Sequence, residues 1–241
     1  MKIEIRNRHT REVILSGDAA SVKELLARHW KAGLDIGAAN MAGVNLVGLN
    51  LAESHLAGAN LAGANLTSAD LSSARMKGCN LTRSNLTSAQ LAGADLTGAN
   101  LTGADLTMAK LVGTTLSSAD LYWACLVGAD LTGATLSEAN LAKSNLTMAT
   151  LERADLFWAD LSTANLTLAN LAHAALTVAS MTKALLTRAN MKGATLAGAD
   201  LTAADLSEAD LTGADLSDAI LEGTNLQGTI LTDANLARVK R

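Results

Sequence analysis

The sequence predicts an all-β solenoid, a rod in which short extended segments and turns coil upon themselves, and three observations support this. A large apolar residue, nearly always Leu, returns at every fifth position from Ile36 to Leu236 without a gap. A small residue, usually Ala, stands two positions before nearly all of these, with Leu34, Val44 and Leu49 as exceptions, and Asn or Asp most often stands between the two. Gly, Ser and Thr are frequent in the two positions that follow.

A period of five residues requires one turn per repeat. In an α-helix, which turns about 100° per residue, the leucines would wind around every side. In a plain strand an odd repeat would place successive leucines on opposite faces. One turn per repeat lets every Leu point to the same side. The small residue and the Leu lie two apart on an extended segment and therefore point the same way, and the residues that follow bend the chain before the next repeat. All leucines then point inward, and each coil pairs its backbone with its neighbours.

The unit Ala-(Asn/Asp)-Leu-X-X resembles the repeat of the pentapeptide-repeat proteins, and it covers about 205 of the 241 residues. This resemblance implies a right-handed quadrilateral β-helix with four repeats per coil and about ten coils. At about 4.8 Å per coil, the spacing of paired strands, the rod is expected to be about 50 Å long.

The first residues lack the five-residue phase, so residues 1–33 are expected to form a strand-turn-strand-helix cap ahead of the repeat region, residues 34–241. The segments Lys2–Arg6 and Arg11–Leu15 read as two strands around a turn at residues 7–10. Such a cap shields the backbone edge of the first coil. This leader resembles those ahead of repeats in bacterial and prophage proteins, which suggests a bacterial origin.

A short helix is predicted to close the N-terminal segment. Ser21, followed three residues later by Glu24, has the pattern of a capping box, and Gly33 is a suitable terminator. Three residues are expected to share its apolar face: Leu25, Leu26 and Trp30.

Composition and charge indicate a cytoplasmic protein that binds neither nucleic acid nor membrane directly. The net charge is −4, and Lys and Arg are dispersed, so the sequence contains no basic patch that could bind nucleic acid. No apolar run is long enough to cross a bilayer, and the chain does not open with a signal peptide. The two cysteines fit a reducing compartment.

No catalytic, cofactor-binding or metal-binding residues are predicted. The histidines are scattered, and no His/Cys group has the spacing of metal ligands. Ser and carboxylate residues recur with the repeat on a convex surface, which lacks the enclosed pocket that catalysis requires. We therefore expect the protein not to be an enzyme.

With four repeats per coil, residues twenty apart stack, and one side stands out by its charge. We call it the low-charge side; it runs from residues 44–48 to residues 184–188 in steps of twenty, and Asp105 is its only charge before Arg188. Its outward-facing residues twenty positions apart form a column, called the Thr ladder here, and all are β-branched: Val47, Thr67, Thr87, Thr107, Val127, Thr147, Thr167 and Thr187. Larger apolar residues lie beside the ladder: Met108, Met148 and Leu168. A flat, uncharged, partly apolar strip is a candidate contact surface, although Thr ladders also simply suit β-stacking.

The scarce aromatic residues are candidate contact residues because Trp and Tyr are enriched at interfaces. Tyr122 and Trp123 are expected at the corner that leads into the low-charge side. Phe157 and Trp158 are expected at turn positions on another side, with Val178 stacked one coil after Trp158. The alternative is that these aromatic residues only cover neighbouring backbone.

Negative charge gathers towards the end of the sequence, where no Lys or Arg occurs between Gly193 and Ala237. Six acidic residues define a candidate surface: Asp200, Asp205, Glu208, Asp210, Asp215 and Asp218. Either this charge keeps the end of the rod solvated, or it imitates DNA phosphate to a DNA-binding protein.

The pattern favours a non-enzymatic structural or scaffold rod that binds an unidentified protein partner. A homodimer through the solenoid ends or the low-charge side is a further expectation. The alternative is DNA mimicry towards a type II topoisomerase, DNA gyrase, which similarity to the quinolone-resistance pentapeptide proteins implies. The sequence departs from that branch: Phe never occupies the central inward position, no loop interrupts the coils and no C-terminal helix follows them. Ice binding by the Thr ladder is a third hypothesis, which Val127 and the large apolar residues beside the ladder weaken.

Overall fold

The computed structural model describes residues 1–241, beginning with a two-stranded hairpin. Strand β1 (Lys2–Arg6) pairs antiparallel with strand β2 (Val13–Asp18). The prediction that the second strand spans Arg11–Leu15 was wrong in its bounds. Arg11 has a φ of 66° and its N–H donates to the Asn7 carbonyl at 3.1 Å, so it belongs to the turn.

Helix α1 (Val22–His29) follows the hairpin. The Ser21 hydroxyl accepts the N–H of Glu24 at 3.1 Å, and the side chains of Leu25 and Leu26 are fully buried. Trp30 does not share this apolar face: its backbone is extended directly after the helix and it is 38% exposed. The helix therefore ends before Trp30 rather than at Gly33.

The N-terminal segment pairs directly with the first coil of the repeat region. Arg8 N–H donates to the Ala38 carbonyl and Asn40 N–H donates to the Arg6 carbonyl, both at 2.8 Å. The Lys23 ammonium donates to the Val47 carbonyl. These contacts satisfy backbone groups that an open solenoid edge would leave unpaired.

The repeat region is a solenoid of stacked coils. Residues at the Asn/Asp position pair in parallel with the residue twenty positions later, from the Asp35–His55 pair to the Ile220–Lys240 pair. A coil therefore contains 20 residues, and each five-residue repeat forms one of its four sides. Each repeat in the middle of the rod donates three backbone hydrogen bonds to adjacent coils, as shown by the N–H groups of Thr135, Leu136 and Glu138.

The core is a continuous column of Leu and small side chains. From Leu46 to Leu216 every Leu at the position of Leu136 is inaccessible to solvent, and Ala at the small position is at most 2% exposed as far as Ala219. Hydroxyl residues replace Ala at four fully buried sites: Ser54, Ser84, Thr114 and Ser144. Each hydroxyl donates to a backbone carbonyl, so none is left unsatisfied. Leu side chains of the last coil, such as Leu236, are only partly buried.

The Asn or Asp between Ala and Leu holds the turn. Its side-chain oxygen accepts the N–H two residues later, as in Asp70 to Ser72 at 3.0 Å and Asn100 to Thr102 at 2.9 Å. This Asx interaction satisfies an amide that the inter-coil ladder does not use. Because the acceptor is a carbonyl or carboxylate oxygen, Asn and Asp are equivalent for this purpose.

The last residue of each repeat forms the corner between two sides. Every corner from Ala38 to Arg238 has a φ between 50° and 72°. Glycine adopts this left-handed conformation freely, whereas an L side chain there costs about 1–2 kcal/mol. Large corner side chains such as Trp123, Trp158 and the β-branched Val178 are therefore retained against a backbone cost.

Candidate interaction surfaces

Several threonine hydroxyls in the ladder of the low-charge side are hydrogen-bonded within the fold. The hydroxyls of Thr67, Thr107 and Thr147 donate to the Asn or Asp of their own repeat at 2.6–2.7 Å. Asp105, the one carboxylate of this side before Arg188, accepts both the N–H and the hydroxyl of Thr107. The hydrogen-bonding groups of this strip are thus partly used within the fold, which makes its surface more apolar than its composition suggests.

Met108, Met148 and Leu168 lie at the corner that ends the low-charge side. They are 53%, 62% and 45% exposed. Met108 leans over Gly128, where an added Cβ would lie 2.7 Å from its sulfur. The corner is therefore an apolar ridge that follows the edge of the low-charge side.

Leu185, which was not among the predicted contact residues, extends this apolar surface. It lies on the low-charge side itself, paired with Asn165 and Asp205 in the ladder, and is 45% exposed. The available signal was its position, because Leu stands there where most repeats have Asn or Asp.

Tyr122 and Trp123 lie at the corner that begins the low-charge side, among cations. Lys143 Nζ donates to the Tyr122 hydroxyl at 2.8 Å and lies 5.3 Å from the centre of its ring. Trp123 is 66% exposed, and its ring and the Arg83 side chain both lie against the bare backbone of Gly103. We call the stacked corner of Arg83, Trp123, Lys143 and Lys183 the Trp123 corner.

Phe157 and Trp158 lie at a different corner, together with Val178. These three side chains are 45%, 66% and 41% exposed, and Val178 packs over Gly198. The structure therefore does not bring the seven candidate contact residues together. It divides them into the ridge beside the low-charge side and two aromatic corners.

The acidic candidate surface is partly neutralised by cations that flank it in sequence. Three ion pairs join adjacent coils: Arg188–Glu208 at 3.6 Å, Lys192–Asp210 at 3.1 Å and Arg238–Asp218 at 2.6 Å. Asp200, Asp205 and Asp215 have no cation within ion-pair distance.

Hydrogen bonds keep several of these carboxylates ionised. The N–H and hydroxyl of Ser207 lower the pKa of Asp205, and those of Ser217 lower the pKa of Asp215. The Thr212 hydroxyl is the main cause of the lowered pKa of Asp210. These groups carry their full charge at neutral pH.

The two cysteines are free and differ in accessibility. Cys79 is buried and donates to the Leu56 carbonyl, and burial raises the pKa of its thiol to about 12. Cys125 lies part-exposed on the low-charge side, near the Thr107 hydroxyl.

We expect one thiol of the native protein to react rapidly with Ellman's reagent and both to react after denaturation, because the thiolate is the nucleophile. A Cys125→Ser variant should remove the fast reaction. Rapid modification of Cys79 in the folded variant would contradict the burial of its side chain.

The remaining surface offers one open depression of about 490 Å³. Its lining residues are Ala32, Gly33, Glu53, His55, Ser73 and Arg75. No group of three or more His, Cys, Asp or Glu side chains is arranged to hold a metal ion. None of the helices combines the length and the apolar character needed to cross a membrane.

Comparison with known proteins agrees with this architecture. The family model described as pentapeptide repeats matches in eight copies, over residues 39–83, 79–121, 98–133, 124–162, 164–202 and 199–238. None of the curated proteins matches the chain.

Two solved structures illustrate the likeness. The first is HetL, a pentapeptide-repeat protein involved in heterocyst differentiation regulation from the cyanobacterium Nostoc sp. strain PCC 7120. It is 36% identical, with a TM-score of 0.68, over 90% of this chain and 95% of HetL. The second is QnrB1, a plasmid-mediated fluoroquinolone resistance protein, 21% identical with a TM-score of 0.57 over 71% of this chain and 88% of the QnrB1 chain, a likeness of fold alone. The uninterrupted five-residue period, the 20-residue coils and these matches together show that the chain belongs to the pentapeptide-repeat family.

Proposed function

We propose that the protein is a rigid, non-enzymatic interaction rod that binds a protein partner through the low-charge side. The observation that carries the proposal is the apolar surface of this side. Met148, Leu168 and Leu185 are each at least 45% exposed within three successive coils. Their neighbours on this side include threonines whose hydroxyls already bond within the fold, such as Thr147.

The backbone supports the same assignment. Met108, Met148 and Leu168 occupy corners with φ near 60°, where glycine serves at Gly48 and Gly128. These exposed apolar side chains point away from the core, so core packing does not offset the free-energy cost of their backbone conformation. Binding to an apolar partner surface accounts for them.

A non-enzymatic rod could regulate a partner simply by binding it. This is consistent with the likeness to HetL, which is involved in the regulation of heterocyst differentiation. We infer that this chain likewise acts by occupying a partner's surface in the cytoplasm of a bacterium. The partner is expected to present a flat apolar strip, which matches a side of a rod better than a pocket does.

Site-specific photo-cross-linking tests this proposal. A photoreactive amino acid replaces Met148 or Leu168 in one set of variants, and Arg153 or His173 in the control set. The controls lie in the same coils at the next corner and are also exposed. We expect a discrete protein adduct in the native cells from the first set and none from the second. Equal adduct patterns from both corners would refute binding through the low-charge side.

A second candidate is DNA mimicry towards DNA gyrase by the acidic surface. The unpaired, ionised carboxylates of Asp205 and Asp215 favour it, whereas the three ion pairs reduce the net charge of that surface. A gyrase supercoiling assay with the purified chain, with and without a fluoroquinolone, decides the matter. Inhibition or drug protection that is lost in an Asp200→Asn, Asp205→Asn, Asp215→Asn variant would support mimicry, and no effect would refute it for gyrase.

A further inference from the structure

The two aromatic corners are the two edges of a single side of the rod. This side carries Asn100, Asp120, Asn140 and Asp160 in its ladder, and we call it the Asn100 side. The Trp123 corner ends each of its repeats. The preceding corner, which we call the Trp158 corner, contains Ser118, Glu138, Trp158 and Val178.

The two edges carry opposite charge. The Trp123 corner has three cations and no acid: Arg83, Lys143 and Lys183. Around Trp158 the charged residues of the corner and the adjoining ladders are acidic: Glu138, Asp155 and Asp160. Asp120 lies on the Asn100 side beside Trp123, so the opposite charge is that of the corner residues themselves, Lys143 at one edge and Glu138 at the other.

From this complementarity we infer that the Asn100 side is the interface of a parallel, side-by-side homodimer. A twofold axis that runs along the rods and faces two Asn100 sides together places the Trp158 corner of each copy against the Trp123 corner of the other. Both corner contacts then occur twice. The inference goes beyond the proposed function and does not depend on it, because the two low-charge sides stay free and point in opposite directions.

The heights of the residues along the rod fit this arrangement. Each coil of 20 residues rises about 4.8 Å, so residues five apart in sequence differ in height by only about 1.2 Å. Glu138 of one copy then lies level with Lys143 of the other. Trp123 lies level with Ser118, and Trp158 lies level with Thr163, so each bulky ring meets a small side chain.

The middle of the Asn100 side also avoids like charges in the parallel arrangement. Its two outward ladders exchange places across the twofold axis, so Asp120 faces Tyr122 and Asp160 faces Ser162. The ladder that contains Tyr122 and Ser162 has no charged residue before Glu222. An antiparallel arrangement would instead set the Asp ladder against its own copy and Glu138 against acidic neighbours, which is unfavourable.

Charge-reversal variants of the full chain test this dimer by sedimentation equilibrium between about 1 and 200 µM. We expect a concentration-dependent dimer for the unaltered chain. Either Lys143→Glu or Glu138→Lys alone should raise its dissociation constant at least tenfold, because a like-charge contact is then made twice. Arg153→Glu, an equal charge change at another corner, should leave the constant unchanged.

Mixing the two single variants gives the sharpest result. In a mixed dimer each Glu meets a Lys at both contacts, so Lys143→Glu and Glu138→Lys together should recover the affinity that each has lost, as should the double variant alone. All these side chains are exposed, so circular dichroism should show an unchanged fold. A chain that is monomeric at 200 µM, or a dimer whose dissociation constant does not change with these charge reversals, would overturn the inference. Neither result would affect the cross-linking test of the low-charge side.

Discussion

Replacing Leu136 by Ala is expected to lower the free energy of unfolding by about 2–5 kcal/mol, the range for removing a fully buried Leu side chain. Leu136 is inaccessible to solvent, and the close-packed column of Leu and Ala above and below it leaves little freedom to close the cavity. Chemical denaturation monitored by circular dichroism measures the change.

Leu236 provides a matched control, since it occupies the same side and the same repeat position five coils later but is only partly buried. Leu236→Ala is expected to cost less than about 1 kcal/mol, because less apolar area leaves water in the folded state. Equal losses at the two positions would contradict the burial pattern of the solenoid.

Deleting the single residue Gly133 is expected to destabilise the rod by about 3 kcal/mol or more. The repeat then has four residues, so its corner is lost together with the Gly133 N–H bond to the Glu152 carbonyl. The backbone bonds that flank the corner can no longer align with both adjacent coils, and each lost bond contributes about 1 kcal/mol.

Deletion of the complete repeat, residues 131–135, is the control for this effect. It joins Asp130 to Leu136 and restores the Ala-Asp-Leu unit, so we expect a folded protein that is more stable than the single-residue deletion. It also rotates all later repeats by one side, which separates Met108 from Met148, whereas Met148, Leu168 and Leu185 keep their positions relative to one another. A Gly133 deletion as stable as the five-residue deletion would refute the claim that five residues form one side.

The period of the sequence was sufficient to predict the solenoid because one rule, an inward Leu every five residues, applies throughout the region that contains Leu136. The N-terminal segment has no such repetition. There the bounds of β2 depended on the left-handed conformation of Arg11, and the exposure of Trp30 depended on where one short helix stopped.

The candidate surfaces could be predicted only in part. Charge counts identified the low-charge side, and the stacking of residues twenty apart follows from the coil length. The ion pairs formed by Lys192 and Arg238 depend on side chains that reach from one coil to the next, so a count of acidic residues overstated the charge. Leu185 could not be predicted from composition, because a single outward Leu does not stand out in a Leu-rich repeat.

Binding through the low-charge side can be measured as an affinity for the partner that cross-linking identifies. Isothermal titration would compare the unaltered chain with a Met148→Glu, Leu168→Glu variant and with an Arg153→Glu, His173→Glu variant. We expect at least a tenfold loss of affinity for the first variant and no change for the second, because only the first places charge in the apolar strip. Unchanged affinity of the first variant, with its fold intact, would contradict partner binding through the low-charge side.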